Sequence, residues 1–419
     1  MIPQTPDPGG TMDSLFTALD SCTEAVFELQ KSLTAIPALG PMNGGDGEKD
    51  KTEFLMGHLR SMGIEDIREF RAPDSSVSCG YRPSVAAVIP GKDASRTLWV
   101  ISHTDIVPPG DLSLWKSDPY VIERDGDIIV GRGVEDNQQG IVSSLIAAQV
   151  LLDHDVTPDI NYGMIFVADE ETGSHYGLDY LVREHEDMFT PNDLFLVPDS
   201  GEPTSEMVEV AEKSMFWLKI VVEGKQCHAS TPSQGVNTLV ASADFILKIK
   251  QLNGIYDAED PIYDPPYSTF EPTKKEANVE NVNTIPGRDV FYVDSRVLPQ
   301  YSLDDVLETI EGFGREVEKT HGVTITYEKT MYEQAAPATP VDSEIVQRVI
   351  ASVRKVYRNT PRPAGIGGGT VAAFLRRKGY QAVVWATLNH NAHQPNEWSS
   401  IKSTIGDAKV ITDMLLPQD

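Results

Sequence analysis

Cysteine is scarce: Cys22, Cys79 and Cys227 are the only three in 419 residues, and no two lie close enough to read as a pair. Their spacing excludes a disulfide framework and a cysteine zinc knuckle, and it fits a reducing compartment. No apolar run approaches the length of a membrane span. The opening MIPQTPDPGGTMD has neither a basic start nor an apolar h-region, so no signal peptide is expected and a cytoplasmic location is. Cations are few as well, 35 Lys and Arg against 63 Asp and Glu, for a net charge of −28. A surface that acidic repels nucleic acid and anionic membrane, which leaves small molecules as the expected partners. An anionic substrate would need a local cationic pocket.

Apolar residues make up 40% of the chain and charged residues 23%, an ordinary globular composition. The length asks for two domains. Residues 1–12 are rich in Pro and Gly and read as loose. A helical pattern runs from about Ser14 to Ile36. Short apolar strands then alternate with helices: strand Arg96–Ser102, helix Gln138–Leu152, strands Asn161–Ala168 and Leu194–Val197. That alternation predicts an α/β fold, a mostly parallel sheet with helices on both faces.

From about Lys213 the pattern changes. Met215–Val222 reads as a strand, Asn237–Gln251 as a helix, Asn281–Pro286 and Asp289–Leu298 as strands. Ser302–Thr320 reads as a helix with Val306, Ile310, Phe313 and Val317 on one face, and Ser302/Asp305 resemble a capping box. Val323–Glu328 alternates like a strand. The order β-α-β-β-α-β is that of a ferredoxin-like unit. After the Pro/Ala-rich link Gln334–Pro340 a helix resumes, and Val383–Thr387 reads as a buried strand, so the second unit is inserted into the first. The expected division is 1–212 with 332–419, and 213–331.

Residues able to bind metal recur where the strands end. His103-Thr104-Asp105 follows the first strand, Asp169-Glu170-Glu171 the second, Pro198-Asp199-Ser200 the third, and Asn389-His390-Asn391-Ala392-His393 the last. Asp136 stands just before a helix. The carboxyl ends of parallel strands are where such sheets place their sites. Imidazole and carboxylate without thiolate suit zinc, manganese or cobalt. Each group alone has a plain structural reading: a turn histidine, a solvated acidic pair, a turn aspartate. A purely structural role does not call for their conjunction at successive strand ends. Gly365-Ile366-Gly367-Gly368-Gly369-Thr370 lacks the lysine and the spacing of a phosphate-binding loop, which excludes nucleotide binding through it.

The stretches SHTDIVPPG, GRGVEDNQQG, ADEETGS, VPDSGEPT, GKQCHASTPSQGVN, NVNTIPG, DSRVLP, GGGT and HQPNE follow one another between about residues 100 and 400. In this order the chain resembles the co-catalytic di-zinc peptidase and deacylase family that includes aminoacylase, carboxypeptidase G, acetylornithine deacetylase and succinyl-diaminopimelate desuccinylase. The resemblance implies a zinc-exopeptidase-like α/β domain with an inserted ferredoxin-like lid, through which members often dimerise. It implies two divalent metals, zinc foremost and cobalt or manganese next. Asp136 would bridge them, His103 and Asp199 would complete one site, and Glu171 and His393 the other. Asp105 would orient His103, Glu170 would be the general base, and His228 would donate to the oxyanion, often in the partner subunit's site. Arg296 would hold the substrate carboxylate with help from Asn283, and Gly369 and Thr370 would add donors. The plain reading of Arg296 is a salt bridge to Asp294.

Two departures bear on the substrate pocket: Asn137-Gln138-Gln139-Gly140 stands where the family often has Lys/Met-Gly-Gly, and Val371-Ala372 where desuccinylases continue with Ser-Asp. The expected activity is hydrolysis of an N-acyl amino acid related to succinyl-diaminopimelate or acetylornithine. The alternatives are a dipeptidase or carboxypeptidase on the same scaffold and a metal-free binding relative.

Overall fold

A computed structural model describes residues 8–417. The chain divides into two compact units. One comprises the described residues up to Val210, Thr339–Pro363 and Thr370 onward, and the other comprises Ala211–Ala338 with Ala364–Gly369. The insertion is therefore longer than expected at its far side and takes in the glycine loop as well.

The first unit is built on a sheet whose strands run in the order Asp66–Pro73, Tyr81–Ile89, Ile160–Val167, Asp93–His103, Leu194–Gly201, Ala382–Ala386, and then the part of Met207–Glu212 up to Val210. The four central strands, Ile160–Val167 to Ala382–Ala386, run parallel. The pairs formed by Asp66–Pro73, Tyr81–Ile89 and Met207–Glu212 are antiparallel. Side chains alternate between the two faces. Trp99, Ile101, Ile165, Val167, Phe195 and Val197 point to one side, where they pack with Leu178, Leu181, Ala372 and Leu375 from two short helices and with Val371, which precedes the second. Helix Gln138–Asp153 covers the other side, and the Tyr162 hydroxyl donates to its Ser144 carbonyl at 2.9 Å. Each leucine-sized side chain buried this way contributes about 1.5–3 kcal/mol.

The N-terminal helical stretch is two helices, Pro8–Asp20 and Thr23–Thr34. Of the segment expected to be loose, residues 1–7 lie outside the described residues and the remainder begins the first helix.

The second unit has a four-stranded antiparallel sheet in the order Thr269–Lys275, Arg288–Val297, Ser214–Glu223, Thr324–Glu333. With helices Thr238–Ile249 and Leu303–His321 between the strands, the chain order is β-α-β-β-α-β. Phe245, Ile249, Val306, Ile310 and Val317 pack from the helices onto Phe216, Leu218, Ile220 and Phe291 of the sheet. Ser302 caps the second helix by accepting from the Asp304 amide at 3.1 Å. The second strand is a correction. The expected strand Asn281–Pro286 supplies only Thr284–Ile285, which pairs with Cys227–His228. Its place in the sheet is taken by Thr269–Lys275, an exposed edge strand broken in register at Pro272. Edge strands tolerate proline and lysine, which blunt further pairing and erase the alternating pattern that marks a strand in sequence.

Candidate metal centre

The four central parallel strands bring their carboxyl ends side by side, and the chemistry-bearing residues gather there. His103 is the last residue of strand Asp93–His103. Glu170 and Glu171 open a short turn after strand Ile160–Val167, entered through Asp169 in the left-handed conformation (φ 62°). Asp199 lies inside strand Leu194–Gly201, not beyond its end as expected. The register to the neighbouring strand breaks between Val384 and Ala386, opposite Pro198-Asp199-Ser200. Such an irregularity re-aims a side chain. The strand closes with Gly201, where a Cβ would sit 1.7 Å from the Ala386 carbonyl oxygen, so only glycine fits.

Asp136 holds the centre of the cluster. One of its carboxylate oxygens lies 2.9 Å from His103 Nε2 and the other 3.0 Å from His393 Nε2. Asp199 Oδ1 is 3.5 Å from His103 Nε2, and Glu170 Oε2 is 4.0 Å from the same nitrogen. Glu171 lies 3.1 Å from His393 Nε2. The other nitrogen of His103, Nδ1, is 3.0 Å from the Asp105 carbonyl oxygen and 3.4 Å from its carboxylate. With Nδ1 donating to that carbonyl, Nε2 is the nitrogen left to bind a metal once it gives up its proton. Asp105 does more than orient His103: its two carboxylate oxygens accept from the Glu170 and Glu171 amides, each at 3.0 Å, which fixes the turn bearing both glutamates.

The electrostatics are those of a cation site. Glu170 is held well above the ordinary carboxylate range by burial and then by the charge of Asp199. Burial opposes a charge on His103, yet Asp199, Asp105 and Asp136 together hold its pKa well above the usual value. Asp136 and Glu171 raise His393 to about 10. Ligand atoms of His103, Asp136 and Glu171 lie within 4.8 Å of one another, as do those of His103, Glu170 and Asp199. Two overlapping groups of nitrogen and oxygen donors with no thiolate fit divalent ions of the zinc type.

Three buried residues hold this cluster together: Glu397 and Glu135, which sequence reasoning passed over, and Asn137, which it read only as a departure bearing on the substrate pocket. Glu397 accepts from the amides of Gly133 (2.9 Å), Glu135 (2.9 Å) and Asp136 (3.1 Å), and from Arg132 Nη1 (2.7 Å). Glu135 accepts from the amides of Asn389 and of Asn391 (2.9 Å), on the loop that carries His393. Asn137 donates to the Pro198 carbonyl at 2.9 Å and to Asp199. The signal in sequence was the acid and the amide that flank Asp136 in GRGVEDNQQG and the glutamate that closes HQPNE.

The departures expected to bear on the substrate pocket lie in the interior. Gln138 bonds Thr34, and Gln139 bonds Thr387, Asp407 and Ser399. Val371 and Ala372 are core residues.

The remaining candidates lie mostly in the second unit. His228 is exposed, its Nδ1 2.7 Å from Ser230 Oγ, and it sits opposite Thr284, next to Asn283, whose carbonyl accepts from Ala229 at 2.8 Å. Arg296 is engaged: Nε and Nη2 donate to Asp294 at 2.8 and 3.1 Å, and Nη1 donates to the Gly367 carbonyl at 2.8 Å. Gly369 is exposed on that same loop. Thr370 belongs to the first unit, and its hydroxyl accepts from the Ala372 amide at 3.3 Å.

A parallel α/β sheet carrying an imidazole–carboxylate cluster at its strand ends defines a metallohydrolase scaffold. The sequence model of peptidase family M20/M25/M40 matches residues 99–416, and the chain belongs to that family of metallohydrolases. It is 41% identical to an uncharacterized metallohydrolase of Methanococcus maripaludis, over 95% of this chain and 100% of that one. It is 27% identical to a succinyl-diaminopimelate desuccinylase of Nitratiruptor, over 71% of this chain and 78% of the relative. Among solved structures, aminopeptidase PepT of Bacillus cereus shares the fold with a TM-score of 0.76 at 18% identity, covering 94% of this chain and 98% of the other. Among the described residues, no helix is long and apolar enough to cross a membrane.

Proposed function

We propose that the chain is a two-metal amidohydrolase that removes the acyl group from an N-acyl amino acid of the succinyl-diaminopimelate or acetylornithine kind. The observation that carries this reading is Asp136, whose two carboxylate oxygens each face a different histidine, as a carboxylate shared by two ions would. His103 and Asp199 would serve one ion, and Glu171 and His393 the other. Zinc is the metal the donors suit best. A pair of such ions, when bound, would make water more acidic and draw charge from the amide carbonyl as it is attacked.

The chain's own residues supply the rest. Glu170 removes a proton from the attacking water as the water oxygen bonds to the carbonyl carbon. Glu170 then passes that proton to the amide nitrogen, and the carbon–nitrogen bond breaks as the amine leaves. His228 would donate to the carbonyl oxygen as it gains charge. Arg296, assisted by Asn283, would take the substrate carboxylate, and Gly369 and Thr370 would add donors. Arg296→Ala is expected to raise KM at least ~10-fold for free-acid substrates and to leave amidated analogues nearly unchanged, because a guanidinium fork matches a carboxylate. Equal losses on both would undo that role.

Leu239, Val240 and Leu247 are exposed on helix Thr238–Ile249 and support a homodimer formed through the second unit.

The deciding experiment is hydrolysis of a panel of N-acyl amino acids and dipeptides by the purified protein supplied with zinc, manganese or cobalt. Cleavage of the acyl amino acids is expected. Cleavage of dipeptides alone would make the chain a dipeptidase, and silence in a metal-loaded protein would overturn the amidohydrolase reading.

A further inference from the structure

The residue after Asp136 departs from the resemblance, and its side chain is buried. The Asn137 amide nitrogen donates to the Pro198 carbonyl at 2.9 Å and to Oδ1 of Asp199, the oxygen that faces His103 Nε2. Among the described residues, its own oxygen, Oδ1, is buried with no hydrogen-bond partner. The amide is therefore placed for its donor end, not to satisfy its acceptor. Packing keeps it there. A Cβ on Gly140 would lie 2.6 Å from Asn137 Oδ1, 2.8 Å from Ser102 Oγ and 2.8 Å from Pro198 Cγ, so the glycine makes the room the amide occupies.

We propose that Asn137 is a positioning residue for Asp199. Its amide ties that carboxylate to the turn bearing Asp136. Two consecutive residues then set the two aspartates that face His103 Nε2: Asp136 by its own side chain, Asp199 through the Asn137 amide. This rests on the two-metal reading and deepens it: the affinity of the His103–Asp199 site is tuned from beneath, separately from the Glu171–His393 site. The mechanism is the orientation of a ligand by its hydrogen-bond partner, whose loss commonly weakens metal binding ~10–100-fold.

The test uses the full-length protein stripped with chelator and titrated with zinc against a chromophoric chelator. The proteins are wild type, Asn137→Leu (same branching and heavy-atom count, no donor), Asn137→Ala and Gly140→Ala. Wild type is expected to take two equivalents. The variants are expected to hold one with wild-type affinity and the other at least ~10-fold more weakly, and Asn137→Leu is expected to keep the melting temperature of the metal-free protein. A purely structural role would lower that melting temperature and weaken both sites alike, which would overturn the proposal. Two equivalents at wild-type affinity in Asn137→Leu and Asn137→Ala would overturn it alone. A wild type that takes no metal would overturn the two-metal reading together with it.

Discussion

Glu170→Ala is expected to keep both metal ions and to lose at least ~100-fold in kcat with little change in KM. The reason is a division of labour between neighbours. Glu171 faces His393 at 3.1 Å and shares that histidine with Asp136, so its carboxylate is committed to a ligand's position. Glu170 stands 4.0 Å from His103 Nε2, a longer approach than that of either aspartate. Burial and the charge of Asp199 favour the protonated form of Glu170 more strongly than in an exposed glutamate, which is what a group that must carry a proton to an amine requires. Its backbone is pinned by Asp105, so the side chain approaches from a fixed direction. Metal analysis of the variant separates two roles, since Glu170 also falls within ligand distance of His103 and Asp199. Full metal content with lost turnover identifies the base. Lost metal makes Glu170 a ligand, and near-normal turnover removes it from the reaction. Glu170→Gln should behave as Glu170→Ala does, because an amide keeps the shape but cannot accept the proton.

The strand ends were legible in the sequence because central parallel strands are buried on both faces and show as short apolar runs, after which a histidine or an acid stands out. His103 and the Glu170–Glu171 pair were found that way. Asp199 stands out with them, but its strand reads as ending at Val197: Pro198 looks like a stop, and a strand that bulges there instead leaves no mark in composition. Strand Thr269–Lys275 was missed because an edge strand is exposed and half polar. The supporting charges were the least legible. Arg132, Glu135 and Glu397 are nearly fully buried, as are Glu48 and Arg82, which pair with each other. Charged residues are seldom buried without a partner, and partners as far apart as Arg132 and Glu397 meet only in the fold. Arg296 shows the same limit from the other side, since both its readings were open in sequence and only the folded chain places it on Asp294.

Glu397→Ala is expected to cost about 3–5 kcal/mol of stability and to abolish metal binding with it. The carboxylate is fully buried and has four donors: the Arg132 guanidinium and the amides of Gly133, Glu135 and Asp136. Alanine would leave Arg132, itself buried over the Trp115 ring at 5.2 Å, as a cation without a counter-charge. Three amides would lose their acceptor at the same time, each a further penalty in the interior. The loop from Gly131 to Asp136 would then be free to shift, and Asp136 could not keep one oxygen on each histidine. The two consequences are separable by urea unfolding of chelator-treated protein, where no metal contributes to stability. A lower midpoint there measures the buried pair itself. Removing Arg132 and Glu397 together, as Arg132→Met with Glu397→Leu, should recover much of the stability, because replacing a buried ion pair by apolar groups costs far less than breaking it. It should not recover metal binding, because the amides that aim Asp136 would still lack their acceptor. A double variant that binds two metals would show that the Asp136 loop holds its shape without Glu397.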